Sequence, residues 1–135
     1  MHNLPGQVEK LCKTVNAPPG LIAHLTIVHD AAIRLVEAIK TEFPNLSFTE
    51  ESILFGAAAH DIGKALYRSE LSVAGSEHET VGERLLLELS IDKSLARFAR
   101  SHAAWRNDDS LELEDLFVAL ADHCWKGNPR PNWRC

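Results

Sequence analysis

The chain is 135 residues long, with 45% hydrophobic residues, 24% charged residues and a formal net charge of −5. This length and composition predict a single globular domain over residues 1–135, with its core at about 21–126. The acidic balance argues against general nucleic-acid binding, which normally requires a basic surface. No apolar run approaches the roughly 20 residues of a membrane-spanning helix, and the first residues lack the layout of a signal peptide. Three cysteines at long spacings, with no CxxC pair, complete the expectation of a cytoplasmic protein with free thiols.

The first part of the chain predicts two helices. A short helix is expected before Val15, with Pro5 near its first turn, where proline is well tolerated. The clearest helix covers residues 21–42, because apolar side chains recur there at spacings of three and four. These side chains are Leu21, Leu25, Val28, Ala32, Leu35 and Ile39.

A third helix is expected to begin near Ser47 and to end close to the pair His60–Asp61. Ser47 and Glu50 have the spacing of a capping box, in which a hydroxyl and a carboxylate accept hydrogen bonds from the free amides of a helix start. The run that follows is apolar and then small, which would let another helix approach closely.

Three more helices are predicted in the second half of the chain. Ser76 with Glu79 and Asp109 with Glu112 repeat the capping-box spacing, and Asp92 can cap the helix between them, over residues 93–105. The predicted inward stripe of the last helix is Leu113, Leu116, Phe117, Leu120 and Cys124. No stretch alternates long enough to form a strand, so the sequence predicts an all-α bundle of about six helices.

Six residues of metal-binding type are distributed over these helices: His24, His60, Asp61, His78, His102 and Asp122. A single histidine on an apolar helix face is also consistent with a hydrogen-bonded core residue, but the joint pattern favours a metal centre built from inward-facing side chains. Such a donor set suits Fe, Mn, Zn and related divalent ions. One metal could be held by His24, His60, Asp61 and Asp122, and a second by Asp61, His78 and His102. His29 and His123 fall less cleanly on the inward faces and are expected behind the ligands or at the surface.

Basic residues follow three of these candidates at a spacing of four: Lys64 after His60, Arg106 after His102 and Lys126 after Asp122. Residues four apart share a face of a continuous helix, so these cations are expected to line the rim of the site, with Arg68 extending the patch. Such a rim would suit phosphate oxygens. Several of these bases also lie near helix C-termini, where a cation can simply complement the helix dipole.

Three motifs of the chain occur together in a known family: the segment beginning His24-Leu-Thr-Ile-Val, the run from Ala59 to Lys64 (AHDIGK) and Leu-Ala-Asp122. In these motifs the chain resembles the HD superfamily of metal-dependent phosphohydrolases, whose opening helix, signature and final aspartate they respectively resemble. The resemblance implies metal-ligand roles for His24, His60, Asp61 and Asp122. His78 and His102 resemble the additional histidines of the dinuclear branches, which implies a second metal.

The resemblance implies hydrolysis of a phosphate ester or anhydride in a nucleotide or other small phosphorylated metabolite, with one or two divalent ions (Fe, Mn, Zn, Ni, Co or Mg) activating the attacking water. Asp61 would bridge the metals and Lys64 and Arg106 would act on the transferring phosphoryl group, while Lys64, Arg68, Arg106 and Lys126 would bind substrate. No Gly-Tyr-Pro motif follows His102, which argues against cyclic di-GMP hydrolysis. Two alternatives are a mixed-valence di-iron oxygenase of the same superfamily and a non-catalytic metal- or nucleotide-binding module. We expect no general nucleic-acid partner and no membrane partner.

Overall fold

The structure of the protein, a computed structural model, describes residues 3–66, 77–101 and 112–127. The helices in these ranges are α1 (Gly6–Thr14), α2 (Pro19–Glu42), α3 (Glu50–Ala59), a 3-10 helix (Ile62–Ala65), α4 (Glu77–Glu88), α5 (Lys93–Ala96), α6 (Phe98–Ser101) and α7 (Leu113–Gly127). The described ranges contain no strand, and the predicted all-α fold is confirmed. The short helices α5 and α6 together cover most of the predicted helix over 93–105, which is interrupted at Arg97.

Helix α2 forms where the apolar periodicity predicted it. Proline lies at its start, and Leu21, Leu25, Val28 and Ala32 are fully buried along one face. Helix α2 packs against both α3 and α7, while α4 packs against the 3-10 helix and α6. These two sets of contacts bring the candidate ligands of four separate segments toward one point.

Helix α3 is the centre of the fold. From Phe55 onward every residue of this helix is buried, including Gly56 and the three alanines that follow. One cluster of buried apolar residues joins α3 to α1, the start of α2 and α4, and a second joins it to the middle of α2 and to α7. Since both clusters share α3, the pair His60–Asp61 at its end lies inside the protein and not at its surface.

The capping box predicted at Ser47 and Glu50 is not formed. Helix α3 begins at Glu50, and the backbone N–H of Thr49 donates to Oε2 of Glu114 on α7, at 2.8 Å. Glu50 instead pairs with Lys40, with 3.2 Å between Nζ and Oε2. A carboxylate from a distant helix has therefore replaced the local one, which a local spacing rule cannot anticipate.

The other predicted caps have different outcomes. Asp92 caps α5 as expected, because its Oδ1 accepts the backbone N–H of Ser94 at 2.9 Å. The serine at position 76 and the aspartate at position 109 lie outside the described residues.

The inward stripe predicted for α7 is wrong in part. Phe117 is buried, but Leu113, Leu116 and Leu120 are 37%, 43% and 40% exposed. The buried face of α7 instead carries Asp115, Val118, Ala121 and Asp122. Small and acidic residues line this face because α7 lies close against α2 and α3, and because Asp115 is neutralised there by Arg97, with 3.1 Å between Nε and Oδ1. The side chain of Cys124 lies outside the described residues.

Cys12 is a free thiol, as the cysteine spacings predicted, and its side chain is buried. Burial, and secondly the charge of Glu9, raises the pKa of this thiol, so it stays protonated and poorly reactive near neutral pH. No helix in the described ranges combines the length and the apolar character that crossing a bilayer would require.

Candidate metal centre

The backbone directs His60 and Asp61 to the same place by ending one helix and starting another. Helix α3 ends at Ala59, and Asp61 begins the tighter turn of the 3-10 helix. His60 is fully buried, and its Nδ1 lies 2.8 Å from the carbonyl oxygen of Ala57. A carbonyl oxygen can only accept, so Nδ1 carries a hydrogen and Nε2 is the nitrogen presented to the carboxylates.

His24, His60, Asp61 and Asp122 form one compact cluster. Each offers a ligand atom, and these four atoms all lie within 4.8 Å of one another. Nε2 of His24 is 2.7 Å from Oδ2 of Asp61, and Nε2 of His60 is 3.1 Å from the same oxygen. Nε2 of His60 is also 3.2 Å from Oδ1 of Asp122, on α7. Two imidazoles and two carboxylates at this separation match the donors and the compactness of a site for one divalent cation.

The electrostatics of the cluster favour a positive charge. Burial on its own would lower the pKa of the His60 imidazole, but the carboxylates of Asp61 and Asp122 raise it to about 10. Two buried carboxylates are costly unless a cation or hydrogen-bond donors compensate them. The field that favours a proton on His60 would equally favour a metal ion among these four side chains.

His78 contacts the other oxygen of Asp61. Its Nε2 lies 3.1 Å from Oδ1, whereas His24 and His60 face Oδ2. His78 is buried and lies in the first turn of α4. The carboxylate of Asp61 therefore has imidazole nitrogens at both oxygens, which is the arrangement that the predicted bridging role requires.

Lys64 lies beside the cluster, but its position does not result from a four-residue spacing on a continuous helix. The four-residue argument assumed a continuous helix from His60, but the chain changes from α3 to the 3-10 helix between the two residues. The tighter turn brings Nζ of Lys64 to 3.5 Å from Oδ2 of Asp61. The side chain of Lys64 is 19% exposed, so the ammonium group lies between the buried carboxylate and solvent.

The remaining predicted site residues are outside the part of the chain that the structure describes. These are His102, Arg106 and Arg68, together with the side chain of Lys126, whose backbone lies in the last turn of α7. His29 and His123 were not predicted as ligands and were expected behind the ligands or at the surface. His29 is buried and His123 is exposed, which agrees with this expectation.

Two buried carboxylates were not singled out from the sequence. Asp30 is paired with Arg34, with 3.0 Å between Oδ2 and Nε, and their spacing of four on α2 could have predicted this pair. Asp115 is paired with Arg97, which also lies over the ring of Phe98, 4.5 Å from its centroid. Arg97 and Asp115 are far apart in sequence, and no local pattern connects them.

Comparison with known protein families agrees with this geometry. The family described as HD domain matches residues 9–125, and the chain belongs to it. Its members are generally metal-dependent hydrolases of the phosphohydrolase superfamily, which bind divalent metals. No curated protein and no solved structure matches the chain. The predicted family membership is confirmed, and the His/Asp cluster is consistent with it.

Proposed function

We propose that this protein hydrolyses a phosphate ester or anhydride in a nucleotide or other small phosphorylated metabolite, using one or two divalent cations. The observation that carries the proposal is the position of Asp61. Its Oδ2 faces His24 and His60, its Oδ1 faces His78, and its side chain is only 2% exposed. A carboxylate with imidazoles at both oxygens can join two cations, and paired cations are widely used to transfer phosphoryl groups.

The proposed ligands divide between the two oxygens of Asp61. His24, His60 and Asp122 would hold one cation together with Oδ2, and His78, with His102 as predicted from the sequence, would hold the other together with Oδ1. Bound divalent cations supply Lewis-acid stabilisation of phosphoryl oxygens and lower the pKa of water. The hydrogen bond from His60 Nδ1 to Ala57 orients the ring for this role, because it fixes which nitrogen is offered.

Among the residues that the structure describes, Lys64 is proposed to bind the substrate through its positive charge. Its ammonium group is near Asp61 and partly exposed, so it can reach a phosphoryl oxygen without leaving the site. A fixed positive charge there would stabilise the negative charge that develops on the phosphoryl group during transfer. Arg68, Arg106 and Lys126 are proposed to extend this cationic rim.

The test is phosphate release by metal-free protein reloaded with one cation at a time (Mn²⁺, Fe²⁺, Zn²⁺, Ni²⁺, Co²⁺ or Mg²⁺). The substrates would be p-nitrophenyl phosphate, its diester, nucleoside mono-, di- and triphosphates and a dinucleoside polyphosphate. We expect turnover with at least one cation, its loss in Asp61→Ala, and a loss in Lys64→Ala that is mainly in kcat. Lys40→Ala is the matched control, because Lys40 is an exposed lysine paired with Glu50 and should leave turnover unchanged.

Absence of phosphate release across the whole panel would contradict the proposal. Oxygen consumption by the iron-loaded protein with an organic substrate would then identify the oxygenase alternative. If the protein binds metal and nucleotide without turning over any substrate, and Asp61→Ala removes this binding, the chain is a binding module.

A further inference from the structure

The 3-10 helix and the first turns of α4 touch backbone to backbone. A Cβ atom on Gly63 would overlap the carbonyl oxygen of His78 and would lie 2.8 Å from the backbone nitrogen of Gly82. A Cβ atom on Gly82 would lie 3.2 Å from the nitrogen of Gly63 and 3.2 Å from the Cβ of Ala99 on α6. Gly63 is therefore required for the approach itself, whereas an alanine at position 82 would need its neighbours to shift slightly, and neither glycine has a positive φ.

This contact involves the same residue that reaches Asp61. The backbone carbonyl of His78 lies over Gly63, and its imidazole Nε2 lies 3.1 Å from Oδ1 of Asp61, only two residues before Gly63. His78 is thus held at two points on one short turn, one through its backbone and one through its side chain. Any increase in the separation of the two backbones would move the imidazole away from the carboxylate.

The contact at Gly63 differs in kind from the other close glycine packing in the fold. A Cβ atom on Gly56 would lie 2.6 Å from Cγ of Phe98, in the core cluster that joins α2, α3 and α7. A phenylalanine ring can rotate or shift with a loss of packing, whereas the backbone of α4 can move only as part of its helix. The cost at Gly56 should therefore be stability, while the cost at Gly63 should be the position of His78.

We infer that the Gly63–Gly82 contact is a positioning device that sets the distance of His78 from Asp61, and thereby the affinity for the second of two cations. This inference rests on the two-cation part of the proposed function. It assigns Gly63 and Gly82 as positioning residues that act through His78, with no contact of their own to metal or substrate. Ligand distances in metal sites lie within about 0.2 Å of their usual values, so a displacement large enough to accommodate a methyl group should weaken binding.

The experiment is a titration of the metal-free protein with Mn²⁺, read by equilibrium dialysis for stoichiometry and by electron paramagnetic resonance for the spin-coupled signal of two neighbouring Mn²⁺ ions. The variants are Gly82→Ala, Gly63→Ala and His78→Ala. In Gly82→Ala we expect the second cation to bind about 10- to 100-fold more weakly, as is typical when the support of a ligand is disturbed, with the first cation unaffected. The coupled signal should be lost at a Mn²⁺ concentration that saturates the wild-type protein. Gly63→Ala should show a larger loss.

Two glycine substitutions are controls. Gly56→Ala should lower the thermal midpoint because of its overlap with Phe98, while both cations bind as in the wild type. Gly20→Ala, where a Cβ atom would have no neighbour within 4 Å, should leave the binding of both cations unchanged and should not lower the thermal midpoint, because alanine is the better helix former in α2. A loss of the second cation in Gly56→Ala equal to that in Gly82→Ala would overturn the inference, because it would mean that general destabilisation is sufficient.

The remaining outcomes separate the inference from the function on which it rests. If the wild type binds only one cation, or if His78→Ala still binds two with wild-type affinity, the two-cation proposal itself fails. If His78→Ala loses the second cation but Gly82→Ala keeps it at wild-type affinity, only the positioning role is wrong. Should Gly63→Ala fail to fold, Gly82→Ala decides, because its closest contacts of 3.2 Å are the milder ones.

Discussion

Two buried aspartates on α7 differ in their partners, because one faces an arginine and the other faces histidines. Asp115 and Asp122 lie two helical turns apart on the inner face of the helix, and both are largely buried. Asp115 faces the guanidinium of Arg97 at 3.1 Å and accepts the backbone N–H of Glu112 at 2.9 Å. Asp122 faces the imidazole of His60 at 3.2 Å, with that of His24 at 4.0 Å.

The difference shows which buried carboxylate has the chemistry of a metal ligand. A guanidinium is always protonated and has no lone pair to give, so Arg97 provides a permanent counter-charge and Asp115 stabilises the fold. An imidazole can exchange its proton for a metal, so the surroundings of Asp122 can accept a cation that the surroundings of Asp115 exclude. Substitutions at the two aspartates should therefore have different effects on metal binding and on stability.

The largest effect is expected for Asp122→Ala. This substitution removes a carboxylate from the four-residue cluster, so we expect affinity for the first divalent cation to fall by more than about a hundredfold, beyond the effect of disturbing a supporting residue. Metal-dependent turnover should fall with it. Metal analysis after dialysis against a known free concentration measures the change, and unchanged metal content would contradict the assignment.

Asp115→Ala should act on stability and not on metal binding. Removing one partner of a buried ion pair leaves an uncompensated charge, and the cost should be about 3 kcal/mol, at the low end of the usual range. The low end applies because Arg97 is 22% exposed and also approaches Glu112, with 3.6 Å between Nη2 and Oε2. Urea denaturation measures the loss. If the folded variant bound metal much more weakly than the wild type, the division between the two aspartates would be wrong.

Addition of metal should stabilise the protein wherever Asp122 is present. A ligand at 100 times its dissociation constant stabilises the folded state by about 2.7 kcal/mol, provided that the unfolded chain does not bind it. We expect this increase in the wild type and in Asp115→Ala, and no comparable increase in Asp122→Ala. Thermal denaturation with and without the cation that supports turnover provides the measurement, with a chelator as the reference state.

The smallest effect is expected for Asp92→Ala. Asp92 is an exposed carboxylate, in contrast to the buried Asp115 and Asp122. Hydrogen bonds from Ser94 lower the pKa of Asp92, so the ionised form is favoured in the folded state. Its contribution should be present above the ordinary carboxyl pKa of about 3.9 and be lost as the pH falls through the lowered folded-state pKa. The difference in thermal midpoint between wild type and Asp92→Ala should therefore shrink at acidic pH, and a difference that grew on acidification would contradict the cap.

The sequence was sufficient for the features that depend on local periodicity and on residue identity. Helix α2 and the helical class follow from spacing alone. The sequence also predicts His24, His60, Asp61 and Asp122 as one group, from a His or Asp on or beside the apolar faces of separate helices and a His-Asp pair at the end of another, and the structure places these four side chains together. The resemblance to the HD superfamily added support, because the motifs that contain these residues follow one another along the chain in the order typical of that family.

Features that depend on long-range neighbours could not be predicted. The inner face of α7 was assigned to its leucines because they are the most hydrophobic residues, yet Arg97 makes it favourable to bury Asp115 in that region. Glu114 replaces a local cap at Thr49 for a similar reason. The need for glycine at positions 63 and 82 likewise arises only from the packing of α4 against the 3-10 helix, because the two backbones lie in close contact there.

The burial of α3 should make this helix open to solvent less often than the helices around it. Because α3 is enclosed by both core clusters, its amide hydrogens should exchange with solvent mainly when the whole protein opens, whereas outer turns should exchange through local fraying. His60 and Asp61 follow directly on the buried end of this helix, while His24 and Asp122 reach them from α2 and α7. A cation held among the four would fasten two outer helices to the inner one, so its removal should accelerate exchange in α2 and α7 long before it is detected in α3.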